Sequence, residues 1–328
     1  MLACCAIGIG AWAFVTACTG DDPVLTTAES DAATEASTPS DTGVGEAALP
    51  NDSGIDADGD AGKSFTPTDL GAHLVLWYEG SPKNLILSDA GDGNVLQWND
   101  LSTFGLAATV PLTLKACTGP TSIPDDAGGA RNVVAFLTDC QKLGNENDQQ
   151  NLDFGARDFL IEVVASVDRG AATPLAQLFK RNQSSNAGHF GEVILTVDTG
   201  HVSVTIRPDD ADASSEVTLV SASAPMDDKA LHVVAMRRFR QIGLAQDTLE
   251  LRVDGVHEDL QVDSVNLDLG GANFVFGGEH LGSPTGPVFS PNLDIAEMVV
   301  VSPKTPVPIG DDVVKSVEGY LKAKYGTP

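Results

Sequence analysis

From about Leu70 the sequence is cut into short runs rich in β-branched and aromatic residues, and no helical periodicity interrupts them until near the end. The runs are His73–Tyr78, Val95–Asn99, Asn132–Leu137, Phe159–Val167, Leu175–Lys180, Gly191–Asp198, His201–Arg207, Glu216–Ser221, Leu231–Arg238, Thr248–Val253, Asn273–Gly277 and Leu293–Val301. Between them stand turn residues such as Asp198-Thr199-Gly200, Asp254-Gly255, Gly270-Gly271 and Gly277-Gly278. Many short strands joined by regular turns predict an all-β sandwich or barrel. One helix is expected at the end. Residues Asp311–Gly326 place Val314, Val317, Leu321 and Tyr325 on one face, aspartates at the start, and lysines with a closing glycine at the finish. That pattern suits the helix dipole and a glycine C-cap, and predicts a helix packed on one edge or face of the sheets.

The strand expected at the end of the series, Asn292–Val301, alternates polar and apolar residues before a β-branched run. It is expected to carry Asp294 and Glu297 on the same side of the pleat. A pair of carboxylates raises the question of acid–base chemistry, with Glu297 as the candidate catalytic residue. The plainer alternative is that Glu297 holds a loop or the terminal helix.

The N-terminal part is of another kind. Residues 1–17 are apolar or small, too short for a comfortable membrane span, and read as a signal segment ending in Val15-Thr16-Ala17-Cys18. The last four residues resemble a bacterial lipobox, which implies lipidation at Cys18 and a protein exported to the cell envelope. Residues 18–68 are small, polar and acidic, and between Thr19 and Gly71 there are twelve acidic residues and one lysine. Such a segment lacks the apolar surface to offset its chain entropy and is expected to be a disordered tether. Asp56-Ala57-Asp58-Gly59-Asp60 within it departs from a calcium loop at Ala61 and Pro67 and is read as linker. The folded domain is expected over residues 69–328.

The net charge of −27 argues against nucleic acid as a partner. Arg237-Arg238-Phe239-Arg240 is the one dense basic cluster and is read as a strand end with solvated arginines. Three of the five cysteines lie in or beside the export segment, which leaves Cys117 and Cys140 as the expected disulfide of an exported chain. Ser88–Asn94 offers Asp89, Asp92 and Asn94 as candidate Ca2+ ligands, against a simple Asp-Gly turn. No other cofactor is expected.

Three stretches, taken in order, resemble the concanavalin A-like, laminin-G-like domains of exported bacterial proteins. They are Leu74–Tyr78 with Asp92–Ser102, Leu249–Gly255, and Ile295–Val301 with the helix ending Val317-Glu318-Gly319-Tyr320-Leu321-Lys322-Ala323-Lys324-Tyr325-Gly326. The resemblance covers roughly residues 72–326. It implies a two-sheet antiparallel jelly-roll sandwich with a C-terminal helix, in a superfamily of mostly glycan- or protein-binding domains that also includes glucanases. The related retaining glucanases carry Glu-x-Asp-x-x-Glu, and here Asn292 stands at the nucleophile position. An amide cannot form the glycosyl ester, so hydrolysis is disfavoured.

The expected function is therefore non-catalytic recognition of a glycan or a surface protein, displayed on a lipid-anchored tether. A glycoside hydrolase or lyase, and a structural envelope lipoprotein, are the alternatives. Tyr78 alternates with Trp77, so one of the two should face outward, whereas Trp77 and Trp98 both read as core. Candidate ligand contacts are Tyr78, Asn186, His189, Glu279 and His280, the last four on loops.

Overall fold

The computed structural model describes residues 64–110, 119–124, 132–138, 141–145, 150–155, 157–167, 175–183, 192–207, 216–240, 247–263, 272–277, 292–304 and 308–328. All of them fall in one unit, Asp52–Pro328. The expectations for residues 1–63, including Cys18, and for Cys117, Cys140, Asn186, His189, Glu279 and His280 lie outside the described residues.

In chain order the strands are β1 (Leu74–Glu79), β2 (Leu85–Leu87), β3 (Val95–Trp98), β4 (Ala108–Thr109), β5 (Thr121–Pro124), β6 (Asn132–Phe136), β7 (Leu143–Asn145), β8 (Phe159–Val167), β9 (Leu175–Gln183), β10 (Val193–Asp198), β11 (His201–Ile206), β12 (Val217–Val220), β13 (His232–Arg240), β14 (Asp247–Val253), β15 (Val256–Asp263), β16 (Ala272–Phe276) and β17 (Leu293–Val301). A helix, α1, spans Asp311–Tyr325. The first sheet runs β15-β14-β13-β8-β17. Beyond β17, β1 pairs with its Glu297–Val301 part and β6 with its Leu293–Ile295 part, and β5 pairs with β6. The second sheet runs β12-β11-β10-β9-β16-β7-β4-β3-β2. The molecule is an all-β, two-sheet antiparallel sandwich closed by one C-terminal helix.

The two inner faces share one core, in which Tyr78, Trp98, Phe179, Phe274 and Phe276 make an aromatic group with ring centroids 5.4–6.1 Å apart. A second apolar layer lies on the outer face of the first sheet. There Leu160, Val164, Ala235 and Val299 pack with Val313, Val314, Val317 and Leu321 of α1. This layering explains two kinds of strand sequence. β8 and β17 are covered on both faces and read as nearly continuous apolar runs. β10 and β11 alternate buried and half-exposed residues, as strands with one covered face should.

Helix α1 follows the expected pattern. Asp311 and Asp312 occupy its first turn, Lys322 and Lys324 its last, and Gly326 caps it in the left-handed region with φ 65° and its N–H on the Lys322 carbonyl. Two hairpin turns among the described residues also match their sequence. Thr199-Gly200 and Asp254-Gly255 have φ of 49° and 81°, and 51° and 78°, as the strand twist demands of such turns. Packing of the sandwich begins before the expected boundary at residue 69, because Phe65 stands edge-on to Tyr320 and Pro67 is buried.

Five strands are absent from the sequence expectation. β2, β4, β5 and β7 have only two to four residues each. β15 is long, but it is an edge strand whose Val256, Leu260 and Val262 are 60, 42 and 53 % exposed, so no core face marks it. Its Glu258 and Asp259 are the charges that discourage edge-to-edge pairing. The arginine cluster also departs from expectation. Arg237 and Arg238 are buried rather than solvated, and bond to Glu250 with Asp311 and to Asp247 respectively. Only Arg240 is exposed, at the end of β13.

At the other end of β13, His232 joins two loops. Its Nδ1 lies 2.6 Å from Asp254 Oδ2 and its Nε2 lies 2.8 Å from Asp228 Oδ1. Both acceptors are carboxylates, so both ring nitrogens must donate and the ring is an imidazolium. Burial works against this charge, but the two aspartates outweigh it and raise the His232 pKa above its ordinary value. A raised folded pKa means that the contribution to stability is complete below the unfolded value of about 6.5 and is lost as pH rises through the folded value. Thermal melting across pH should therefore show wild type losing stability on the alkaline side of neutrality relative to His232→Gln. Parallel melting profiles would refute the imidazolium.

Candidate functional site

The strand β17 carries the carboxylates noted in the sequence. Asp294 and Glu297 are three residues apart, so unbroken alternation would put them on opposite faces. The register of β17 against β8 shifts between Ile295 and Glu297. The extra residue returns Glu297 to the outer face while Leu293, Ile295, Met298 and Val300 all stay in the inner core.

Glu297 has no exposed surface. Its Oε1 accepts the Trp77 indole N–H at 2.7 Å, and its Oε2 accepts the Tyr325 hydroxyl at 2.7 Å and the Lys324 ammonium at 2.5 Å. Glu79 lies directly opposite Glu297 in the β1–β17 ladder, a like-charge pairing that would be unfavourable alone. Lys324 also reaches Glu79 at 2.9 Å and so sits between the two carboxylates. Asn84 donates to the other Glu79 oxygen at 2.9 Å. Burial opposes the charge on Lys324, but Glu297 prevails and holds the ammonium above its ordinary value. The Tyr320 hydroxyl, 2.9 Å from Lys324 Nζ, is pushed up to about 12, by burial first and Glu297 second.

This arrangement assigns Glu297 a chemical task. A glycosidase acid must present a proton to a glycosidic oxygen, with its partner carboxylate across the substrate. Glu297 and Glu79 instead share one ammonium, and the three donors around Glu297 leave it no surface with which to meet a sugar. The residue fastens β1, β17 and the last turn of α1 together.

The other candidates separate in the same way. Tyr78 is a correction. It is fully buried among Trp98, Phe274 and Phe276 with its hydroxyl on the Leu106 carbonyl, so it has no surface for a ligand. Its neighbour Trp77, expected in the core, is the one on the outer face, half-buried against the helix layer. Trp98 is in the core as expected. In Ser88–Asn94, the two oxygens of Asp92 receive the backbone N–H and side-chain amide of Asn94, while Asp89 is exposed. Among the described residues no group of three or more His, Cys, Asp or Glu side chains is placed to hold a metal ion. The segment holding Asn186 and His189 follows Gln183, and the one holding Glu279 and His280 follows Gly277. Gln183 pairs with Ala272 at one end of the β9–β16 ladder, whereas Gly277 donates to the Gln177 carbonyl at the other.

A surface that sequence reasoning missed lies on the outer face of the second sheet. The cross-strand rows Thr196–Ser203–Val220 and Ile194–Thr205–Thr218 set four hydroxyls beside two apolar side chains over β10, β11 and β12. Thr218 is exposed and Thr196, Ser203 and Thr205 are partly exposed, and the Thr205 and Thr218 hydroxyls are 3.1 Å apart. Asp198 and His201 pair at one end of the row. Arg207 closes the other end, 2.7 Å from both Glu216 and the buried Glu192, which also meets the buried Lys180 at 2.8 Å. Burial alone would raise the Glu192 carboxyl, but Lys180 and Arg207 together hold it below its ordinary value. The signal for this row was present in the alternation Thr196, Ser203, Thr205, Thr218. It becomes a surface only once the strand order is known.

No protein-family model matches the sequence, and no curated protein matches it either. Solved structures share the fold. The binding domain of botulinum neurotoxin DC in complex with SialylT aligns over 77 % of this chain and 52 % of its own, with TM-score 0.51 and 9 % identity. The binding domain of Paraclostridial Mosquitocidal Protein 1 aligns over 79 % and 56 %, with TM-score 0.51 and 11 % identity. Botulinum neurotoxin type C, whose cell entry depends on interaction with two ganglioside molecules, aligns over 78 % and 53 %, with TM-score 0.52 and 8 % identity. The chain thus spans just over half the length of these proteins, and at such identities the likeness is one of fold.

The carboxylate cluster makes a direct prediction. Lys324→Met leaves Glu79 facing the buried Glu297 with no cation between them. It should cost about 3 kcal/mol by urea denaturation, the low end for breaking a buried pair because the ammonium is partly solvated. The double variant Lys324→Met/Glu297→Gln should recover part of that loss.

Proposed function

We propose that this protein is a non-catalytic recognition domain that binds a glycan, or a protein surface, on the outer face of β10–β12. One observation carries the reading. The hydroxyls of Thr196, Ser203, Thr205 and Thr218 are left partly or fully exposed on the second sheet, whereas the outer face of the first sheet is covered by α1. Hydroxyls beside Ile194 and the exposed Val220 on a rigid ladder, with a charge-paired arginine at one end and an Asp–His pair at the other, are suited to a ligand that offers many hydroxyls and a small apolar face. The toxins that share the fold are described with SialylT and with gangliosides, and this supports a glycan as the first ligand class to try. The domain is read as concanavalin A-like and laminin-G-like. That reading rests on the three resembling stretches and agrees with the two-sheet antiparallel fold. The cell envelope is the proposed location, with Cys18 as the lipid attachment point.

A glycan array probed with the full chain, with and without Ca2+, tests the proposal. Neutral and sialylated glycans should both be included, because the net charge of −27 disfavours acidic sugars. Ser203→Tyr adds a ring to the exposed row without entering the core. It should weaken any hit at least tenfold while leaving Tm unchanged, and retained binding would place the site elsewhere. An array with no hits would overturn the glycan reading. Separately, Cys18→Ser should abolish metabolic lipid labelling, and unchanged labelling would refute the anchor.

A further inference from the structure

One buried acid on the first sheet has no counterpart. Glu162 lies at the middle of β8, between Ala235 of β13 and Val299 of β17, and has no exposed surface. Neither of its carboxyl oxygens has a hydrogen-bond partner. Its neighbours on that face, Leu160, Val164, Ala235 and Val299, belong to the apolar layer that α1 covers.

The charged groups around this face are already engaged. On β14, Arg252 bonds to Glu318 of α1 at 2.7 Å and to Glu250 at 3.3 Å, and His257 on β15 also faces Glu250. On β13, Arg237 bonds to Glu250 at 2.6 Å and to Asp311 of α1 at 2.8 Å. On β17 and β1, Glu297 and Glu79 hold Lys324. Lys322 donates to the Asp254 carbonyl at 2.9 Å, and Lys315 of α1 is exposed, acting on Asp311. Among the described residues no donor bonds to Glu162. A carboxylate in such a place would carry the cost of desolvation with no hydrogen bond to offset it and with only Arg252, already paired to Glu318 and Glu250, attracting its charge, so the side chain takes up a proton instead.

We propose that Glu162 makes the docking of α1 proton-dependent: the helix seats on the neutral acid, and ionisation of Glu162 to solvent accompanies its release. Burial pushes the Glu162 pKa well above the ordinary carboxylate range, Glu318 adds to the rise, and Arg252 opposes it. The sign follows from that direction. The proton is bound in the docked state and lost in the open state, so docking is strongest below the ordinary glutamate value and weakens as pH rises toward the folded value. Between those limits the opening constant of α1 should rise about tenfold per pH unit, the slope of one proton released. Opening would uncover Val314, Val317 and Leu321 together with the outer face of β8 and β17.

The test is hydrogen exchange of the full chain between pH 5 and 9, read on residues 311–325 and corrected for the intrinsic rate. His232 also weakens with rising pH, so the series is run in the wild type and in His232→Gln. In both, α1 should lose protection steeply with pH, and adding Glu162→Gln should flatten the profile while matching it at pH 5. Parallel profiles with and without Glu162→Gln would overturn the proposal. A second measurement stands if that variant fails to fold. The infrared carbonyl band of protein labelled with 13C only in glutamate should show a protonated carboxyl at pH 7 that disappears together with α1 protection. Absence of that band at pH 7 would overturn the proposal.

Discussion

The Glu297 carboxylate is the joint on which the first sheet closes. A buried carboxylate is tolerable only with enough donors, and the three around it come from far apart in sequence. Trp77 is on the first strand, and Lys324 and Tyr325 are in the last helical turn. Each donor therefore positions an element as well as a charge. Trp77 also receives help from Asp100, which accepts the Trp77 backbone N–H together with the N–H groups of Ser102 and Leu106. The conspicuous sequence stretches that suggest a binding or catalytic protein are, in physical terms, the parts that satisfy buried polar groups where sheet and helix meet. Arg252 and Glu318 do the same for the β14–β15 hairpin, with Lys322 on the Asp254 carbonyl of its turn.

Where the sequence was readable, one physical rule lay behind it. Strands covered on one side alternate, as β10 and β11 do, and strands covered on both sides run on as β17 does through Val299, Val300 and Val301. The helix was readable because its caps, charges and apolar stripe agree. The edge strand β15 was not, since neither of its faces joins the core. The choice between Trp77 and Tyr78 was not readable either. Alternation says that one must face out, and only the register Tyr78↔Met298 and Trp77↔Val299 decides which. The parity of Asp294 and Glu297 depends on a single bulge. The isolation of Glu162 depends on where every neighbouring charge is spent. These are tertiary facts with no local sequence signal.

The two outer faces are built on opposite terms. On the first sheet, charged side chains are drawn under a helix and matched in a chain from Asp311 through Arg237, Glu250 and Arg252 to Glu318, leaving Glu162 outside it. On the second, four hydroxyls stand beside Ile194 and Val220 with no α-helix over them among the described residues. One face spends its chemistry on holding the fold, while the other has chemistry to spare.

The contact between Phe65 and Tyr320 has a consequence for presentation. It fixes the point at which the chain enters the sandwich, and that point is on the helix-covered side. The hydroxyl row lies on the outer face of the opposite sheet. Phe65 and the hydroxyls of β10–β12 therefore stand on opposite sides of the sandwich, as a wrist stands behind a palm.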